Sequence, residues 1–548
     1  MKPLYEVSLS YGQLRLWTLD RLEGGSEAYH MPVALRMHGA LNIDALKKAF
    51  CFVIQRHEIL RTVIRENEDG TPQAIVLEVF EEDVPFTSIN VHPSNDSDRA
   101  AETQRHLRSF THSPFNLATD LPLRAQLLTL SDNEHLLVVV AHHIACDGIS
   151  TSILLRELSQ AYDEFSRDST PVWPELEIQY SDWAAWQQAS LEESLEDKVA
   201  RARTRLSAVP SELTLPLDHA RIADRSRQAN HSTVTLTSDT VELLKNLAKE
   251  MKCTLYSVIL TIYGVALARI AGQSAVTIGV AASGRNRVEV DHLIGFLVNT
   301  LAVPVSLSNH PTGRELIEES KANMEAVLED QDLPFEILVE HLGVERSLAQ
   351  TPVFQTMLNL QEKSEDSMHM SGLDVALEPI LLPKAKFDLL LFLLPDQAGG
   401  LQGALEYDAS LFDATTVAAW VKCFEALAKG FAYEPDCPVT LLPVNDTTPA
   451  IDELLASNQS LTNERYVSLI EKISKQCEVT PHAIALRFED QSISYQELEN
   501  SSNQRARYLA DQGIGPEKIV GILLDRSPEL IFSILGVLKT GAAYLPLD

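Results

Sequence analysis

Residues 136–150, LLVVVAHHIACDGIS, carry an aliphatic run straight into two histidines and follow them with an aspartate and a glycine. An imidazole has a pKa of about 6.5, so it is mostly neutral near neutral pH and able to accept a proton. Successive strand residues point to opposite faces, so only one of His142 and His143 can face a given cavity. Two readings stand at this point: a buried strand that happens to end in polar residues, or a strand that delivers an imidazole to the floor of a cavity. Asp147 follows a turn and is too close in sequence to be assumed a triad partner; it is suited to holding the loop through a cation elsewhere. Gly148 allows positive φ and close backbone approach where the next helix begins, and unpaired N–H groups there suit a developing oxyanion. A metal site would need further ligands, and spacing supplies none.

The elements that must position these residues are legible around them. Behind Gly148, ISTSILLRELSQAYDEF sets Ile149, Ile153, Leu154, Leu158 and Tyr162 at helical spacing, which predicts strand, loop, helix. LPLRAQLLTL and HLLVVVAHH predict a strand pair around SDNE, and RTVIRE with QAIVLEV another around EDGTP. YHMPVALRMHG reads as a strand stopped by Gly39, and IDALKKAFCFVIQRH as an amphipathic helix behind the N-cap Asn42. SRDSTPVWPELEIQ (166–179) breaks periodicity as a linker would. A second α/β run starts near STVTLTS (232–238). It includes the apolar helix TLYSVILTIYGVALARIAG, closed by Gly272, and the strand-like VTIGVAAS, LAVPVSL, KFDLLLFLL and GALEYDASLF. Residues 434–463 form a second linker candidate. IALRFED and KIVGILL then begin a further α/β unit with one or two βα repeats, too few to bury a parallel sheet on both faces. The expectation is two α/β lobes plus part of a third domain.

Composition narrows the partners. The 548 residues carry 45 Lys plus Arg against 77 Asp plus Glu, a net charge of −32. That field repels phosphate backbones and anionic membranes, so neither nucleic acid nor a membrane is an expected partner. Six scattered cysteines without a CxxC pair argue against a disulfide framework and a zinc site, and fit a reducing cytoplasm. MKPLYEVSLSYGQLRLW has no apolar h-region, and no apolar run approaches the ~20 residues that span a bilayer. A soluble, cytoplasmic protein is expected.

HHIACDG (142–148) matches the HHxxxDG motif of condensation domains of nonribosomal peptide synthetases, which are similar to chloramphenicol acetyltransferase. The resemblance extends from residue 8 to about 440. SLSYGQLRLWTLDRLEGGSEAYHMPVALRMHG (8–39) looks like the family's opening motif, with Gln13, Arg15, Leu16 and Trp17 in place. RHEILRT (56–62), YSDWAAW (180–186), IGFLVNTLA (294–302), QDLPFE (331–336) and RSLAQTPVFQ (346–355) follow in the family's order. SYQEL (494–498) and LKTGAAYLPLD (538–548) look like the first two motifs of an adenylation domain. The resemblance implies an α/β fold: two chloramphenicol-acetyltransferase-like lobes in a V-shaped pseudo-dimer with a tunnel between them. Its expected segments are an N-lobe at 1–172, a C-lobe at 173–440, a linker at 441–465 and the start of an adenylation domain at 466–548. It implies amide formation between a donor acyl or peptidyl thioester and the α-amine of an acceptor aminoacyl thioester, as in antibiotic and other secondary-metabolite biosynthesis. No cofactor is expected to bind directly. Phosphopantetheine comes on upstream donor and downstream acceptor carrier proteins, and an adjacent adenylation domain is the other partner. With seven residues ahead of Ser8, the donor is expected on another polypeptide.

The resemblance also distributes roles. His143 is the central residue, as base or as positioner, while His142 points into the lobe. Asp147 holds the loop in an ion pair whose usual partner corresponds to Arg61, and Gly148 leaves clearance beside the pantetheine arm. Asn299 and Ser150 are expected on the substrate channel, with Asn299 equally readable as a strand-end turn residue. Gln13 and Arg61 support the motif. Trp17, Trp183 and Trp186 are expected in cores, and Tyr180 and Asp182 in domain-framing hydrogen bonds. The opening motif and FLVNTLA look most like the type that joins an L-donor to an L-acceptor. Alternatives are an epimerisation domain, a stand-alone HxxxDG acyltransferase, and a domain that docks carriers without catalysis. Gly24-Gly25-Ser26 lacks the residue that a carrier attachment site has between its glycines and serine, so it reads as a loop.

Overall fold

An aliphatic run with no polar alternation is the signature of a strand buried on both faces, and 136–141 is such a strand. A computed structural model describes residues 1–444 and 468–547, apart from 24, 26, 92–95, 193, 223–224, 344–349, 362–368, 379 and 381–383. The expected linker from 445 onward, Gly24 and Ser26 of the glycine loop, and the first four residues of RSLAQTPVFQ lie outside the described residues. The chain divides into two compact units, Met1–Thr447 and Thr448–Asp548.

The first half of unit one contains β1 (Lys2–Val7), α1 (Tyr11–Glu23), β2 (His30–Gly39), α2 (Ile43–Arg56), β3 (Thr62–Glu66) and β4 (Pro72–Glu78). They are followed by β5 (Phe86–Asn90), β6 (Leu123–Ser131), β7 (Glu134–His142) and α3 (Gly148–Phe165). β7 lies between β2 and β6, antiparallel to both, with His142 opposite His30. Leu136 to Ala141 are 0–3% exposed. α2 starts where its cap was expected: the Asn42 side chain accepts the Ala45 N–H at 3.0 Å. The Asn42 N–H itself donates to the Tyr162 hydroxyl of α3 at 3.2 Å, tying the two helices together. β3 and β4 pair as the expected hairpin, extended by β1 into a three-stranded sheet.

The second half of unit one opens with α4 (Tyr180–Glu192) and continues through β8 (Ala229–Leu236), α5 (Leu255–Ala271), β9 (Ala275–Ala282) and β10 (Asn299–Ser306). It then runs through α6 (Gly313–Glu329), α7 (Phe335–Leu342), β11 (Thr356–Leu360), β12 (Leu373–Glu378), β13 (Leu389–Pro395), β14 (Leu401–Asp408) and α8 (Ala414–Tyr433). Its sheet has the order β10-β9-β11-β13-β14-β8, with β11 parallel to both neighbours. α5 is buried from Ser257 to Ala268 and ends at Gly272, whose φ of 65° is the left-handed conformation that glycine takes without strain.

The segments are not spatially separate. β12 leaves the second half and pairs antiparallel with β2, becoming the outer strand of the first half's sheet, β12-β2-β7-β6-β5. Tyr180, Trp183, Leu293, Leu297 and Met370 are likewise buried in the first half's core. A boundary at 172/173 therefore divides the sequence but not the packing.

In unit two, α9 (Leu469–Val479) precedes the hairpin β15 (Ile484–Phe488) and β16 (Gln491–Ser494). α10 (Tyr495–Asp511) starts at a capping box in which Ser494 and Glu497 exchange hydrogen bonds. β17 (Ile519–Ile522), α11 (Pro528–Lys539) and β18 (Ala543–Pro546) make one βα crossover between two parallel strands. Ile519 is 71% exposed, so this two-stranded sheet is left largely uncovered. Among the described residues no single helix is long and apolar enough to cross a membrane.

Candidate active site

β7 ends at His142, and the next residues turn tightly: the His142 carbonyl accepts the Ala145 N–H at 3.0 Å. The turn sends the two histidines in different directions, as strand alternation requires. His142 is 1% exposed and packs among Tyr29, His30 and Phe115. Its Nδ1 accepts the Ile144 N–H at 3.1 Å. Burial, then the neighbouring His30, hold its pKa well below the usual histidine value. His142 is therefore a neutral packing residue.

His143 is only partly buried. Its Nδ1 lies 2.8 Å from the Cys146 carbonyl, an acceptor with no proton to give, so Nδ1 carries the ring proton and donates it there. Among the described residues Nε2 has no hydrogen-bond partner, which leaves it as an uncommitted lone pair. The ring packs edge-on against Phe296 at 5.0 Å, and the His143 N–H donates to the Tyr29 carbonyl at 2.8 Å. Burial first, and the Lys386 ammonium second, push the His143 pKa down to about 3.

Asp147 is the N-cap of α3, its Oδ1 accepting the Ser150 N–H at 2.8 Å. Oδ2 accepts the Leu297 N–H at 3.1 Å, across the chain halves. The cation is not the expected one. Arg285 approaches Asp147 Oδ1 at 3.4 Å, with side chains 5% and 3% exposed. Arg61 instead donates to the Leu77 carbonyl at 2.8 Å and lies 3.6 Å from Glu58, because RHEILRT packs on β4 rather than on the motif loop. Arg285 also donates to the Val290 and Leu293 carbonyls and to Ser150 Oγ, at 2.6, 2.9 and 2.9 Å.

Ser150 is corrected in the same way, and Asn299 takes one of its two expected roles. Ser150 is fully buried, and its hydroxyl donates to the Gly295 carbonyl at 2.8 Å and accepts the Gly295 N–H at 3.0 Å. It joins the two halves and does not line a channel. The Asn299 amide donates to the Gln331 and Leu333 carbonyls at 2.8 and 2.7 Å, and its oxygen accepts the Thr300 and Phe335 N–H groups. Those bonds fix the 331–335 segment, the turn-residue role expected of it; the side chain is only partly buried and stands on the wall of a small cavity with Arg15 and Phe296. Gly148 does not use positive φ, and a Cβ added to it would meet nothing within 4 Å. What is special there is open space beside the start of α3.

The opening motif frames this loop. Gln13 is buried and donates to the Ile144 carbonyl at 3.2 Å while accepting the Ser10 N–H at 3.1 Å. Tyr180 donates to the Phe296 carbonyl at 2.9 Å and is 2.8 Å from the Ser10 hydroxyl, the framing expected of it; Asp182 only caps its own helix, at the Gln179 N–H. Gly295 presses on the Tyr180 ring so closely that a Cβ would fall 2.0 Å from Cδ2. Trp183 is core, and Trp17 and Trp186 pack against it partly buried, the Trp186 ring lying under the Arg287 guanidinium at 4.2 Å. Sequence reasoning missed Arg285 and Lys386. The available signals were small: a basic stretch, GRNR, directly after strand text, and a lysine leading into KFDLLLFLL.

Comparison with known proteins completes the picture. The family model described as Condensation domain matches residues 5–448, and that described as AMP-binding enzyme matches residues 473–548. Malpinin synthetase of Mortierella alpina is 36% identical over 552 residues, which take in 99% of this chain and 7% of that protein. The dimodular nonribosomal peptide synthase of Bacillus subtilis is 33% identical over 556 residues, which take in 99% of this chain and 23% of that protein. This chain thus spans only 7% and 23% of the lengths of these two relatives. The crystal structure of the X-domain from teicoplanin biosynthesis superposes with a TM-score of 0.73 at 27% identity, covering 81% of this chain and 99% of that one. The family inferred from HHIACDG and the accompanying motifs is the one these comparisons return.

Proposed function

Since the chain belongs to the condensation-domain family of the nonribosomal peptide synthetases, whose members form amide bonds, we propose that it joins a donor acyl or peptidyl thioester to the α-amine of an acceptor aminoacyl thioester. The observation that carries this reading is the fixed tautomer of His143, with Nδ1 committed to Cys146 and Nε2 open. Both substrates arrive on carrier proteins, and the phosphopantetheine arms supply the activated thioester. Gly148 fits the passage of such an arm, since any side chain there would stand in open space at the opening of α3.

The chemistry asks little of a base. An α-amine has a pKa of about 8, and a thioester is already a good acyl donor. As the C–N bond forms, the carbonyl gathers negative charge and the amine nitrogen positive charge; when the C–S bond breaks, the proton that the nitrogen gives up goes to the departing sulfur, leaving a neutral amide and a free thiol. His143 Nε2 accepts a hydrogen bond from the attacking amine and aims its lone pair at the carbonyl, a contribution of orientation. Burial and the nearby Lys386 charge hold this imidazole near pKa 3, which makes it a weak proton acceptor. Between base and positioner, the low basicity of this imidazole favours positioner. Asp147 takes the Ser150 N–H, but the Gly148 and Ile149 N–H groups at the start of α3 have no carbonyl of their own helix to bond, and they suit the developing oxyanion. The L-donor to L-acceptor assignment rests on the opening motif and on FLVNTLA. The working environment we assign is the cytoplasm, with a downstream adenylation domain as neighbour.

The test mixes donor- and acceptor-loaded carriers with the full chain and with His143→Ala, and follows the new amide by mass. A loss of at least tenfold in rate for His143→Ala is expected. Equal yields would overturn the catalytic reading in favour of docking alone, and a racemised donor without new amide would indicate epimerisation.

A further inference from the structure

The aromatic ring that touches His143 belongs to a residue whose backbone is held at three successive positions. Phe296 lies in the segment between β9 and β10. Before it, Gly295 exchanges two hydrogen bonds with the Ser150 hydroxyl; after it, the Leu297 N–H donates to Asp147 Oδ2 at 3.1 Å. The Phe296 carbonyl itself accepts the Tyr180 hydroxyl at 2.9 Å. Backbone on both sides of Phe296 is thus tied to the start of α3, and its own carbonyl to α4. From that anchored backbone the ring meets both α1 and the motif turn. A Cβ added to Gly12 of α1 would fall 2.7 Å from Phe296 Cε1 and 2.9 Å from Cδ1, so the ring rests on bare helix backbone. The His143 imidazole packs against the same ring, with centres 5.0 Å apart and planes inclined at 71°. His143 has use for such a contact. Its Nδ1 bond to the Cys146 carbonyl, at 2.8 Å, fixes the tautomer, but the outer torsion of a histidine is broad and lets the ring tilt about a single bond.

We propose that Phe296 is a positioning residue of the amide-forming site: its ring, seated on Gly12 and packed edge-on against His143, stops the imidazole tilting and keeps Nε2 aimed at the attacking amine. The inference rests on the function proposed above and adds a residue to it. The two contacts of the imidazole divide the task. Cys146 decides which nitrogen bears the proton, and Phe296 decides where the other nitrogen points. An edge-to-face contact between rings is directional, whereas an aliphatic side chain at the same place would fill space without setting an angle. The glycine under the ring fits the same reading. Alanine is the better helix former, yet at position 12 its methyl would occupy the place of the Phe296 ring edge.

The test uses the full chain with loaded donor and acceptor carriers, the carrier concentration being varied to separate the saturated rate from half-saturation. Phe296→Leu should lower the saturated rate about tenfold and leave half-saturation within about twofold, as loss of orientation does. In a His143→Ala background the same substitution should change the rate by less than about twofold, since the ring it would release is gone. Gly12→Ala, which drives a methyl into the Phe296 ring, should also slow amide formation, and it should add nothing to Phe296→Leu. With ring-¹⁵N-labelled histidine, the His143 signals, assigned by their loss in His143→Asn, should be narrow in wild type and broadened in Phe296→Leu. A Phe296→Leu rate equal to wild type overturns the proposal. So does an equal loss in the His143→Ala background, which would show that Phe296 acts without the imidazole. If Phe296→Leu does not fold, Phe296→Met is read in its place. Should His143→Ala form amide as fast as wild type while the His143 signals still broaden in Phe296→Leu, the proposed function fails and the positioning of the ring survives.

Discussion

The replacement of Arg61 by Arg285 as the partner of Asp147 can be put to a double-mutant cycle. Arg285→Met removes one half of an ion pair whose side chains are 5% and 3% exposed. It also removes the donors to the Val290 and Leu293 carbonyls and to Ser150. Breaking a buried pair by deleting one partner costs about 3–5 kcal/mol, since the other charge stays buried and unmatched. Asp147→Asn keeps an oxygen for the cap on Ser150 but loses the charge, and its cost falls in the same range. If the two charges are matched to each other, removing both relieves the orphaned charge, and the double mutant costs less than the sum by about 2 kcal/mol. The same cycle with Arg61→Met should be additive within ~0.5 kcal/mol. Urea unfolding followed by tryptophan fluorescence isolates the relevant unit, because all five tryptophans, at 17, 173, 183, 186 and 420, lie in residues 1–447. Additive costs for Arg285 and Asp147, or a coupling of the same size for Arg61 and Asp147, would refute the assignment.

Three further outcomes follow from the same geometry. Acidification from pH 7 to 5 should destabilise unit one. The folded state holds His30, His142 and His143 below their unfolded values, so the unfolded chain binds more protons as pH falls through 6.5. His143 alone, at about 3 folded against 6.5 unfolded, loses about 2 kcal/mol by pH 5, and that share of the urea-midpoint slope should vanish in His143→Gln. Gly295→Ala places a methyl 2.0 Å from Tyr180 and should lower stability by about 1–3 kcal/mol; a thermal midpoint equal to wild type would contradict the packing. Gly148→Ala puts its methyl in open space within a helix, so stability should hold or rise by up to about 1 kcal/mol while amide formation slows; unimpaired turnover would remove the clearance argument.

What the sequence disclosed follows a physical division. Local patterns were legible: the β6–β7 pair, the cap at Asn42, the C-cap at Gly272 and the helix behind Gly148 all depend on residues within a few positions of one another. His143 was legible through its motif, and its orientation followed from strand alternation. Contacts between distant segments were not. Asp147 meets Arg285 across 138 residues and Leu297 across 150, and no periodicity encodes which of many arginines closes such a gap. Ser150 was misassigned for the same reason. A polar side chain near a site looks available until its partners, here backbone groups far along the chain, are known.

The crossover of β12 has a consequence for engineering. Exchanging the first lobe between synthetases at the linker 166–179 would carry away β2 without the strand that covers it, since residues 373–378 would stay with the recipient. The six-residue pairing from Ala34 to Gly39 would then have to re-form across a foreign seam. Until it did, β2 would offer an open row of N–H and C=O groups to any other chain, the usual starting point for misassembly. Chimeras that include 373–378 with the first lobe, or that move the whole of 1–444, should remain soluble where simple lobe swaps precipitate.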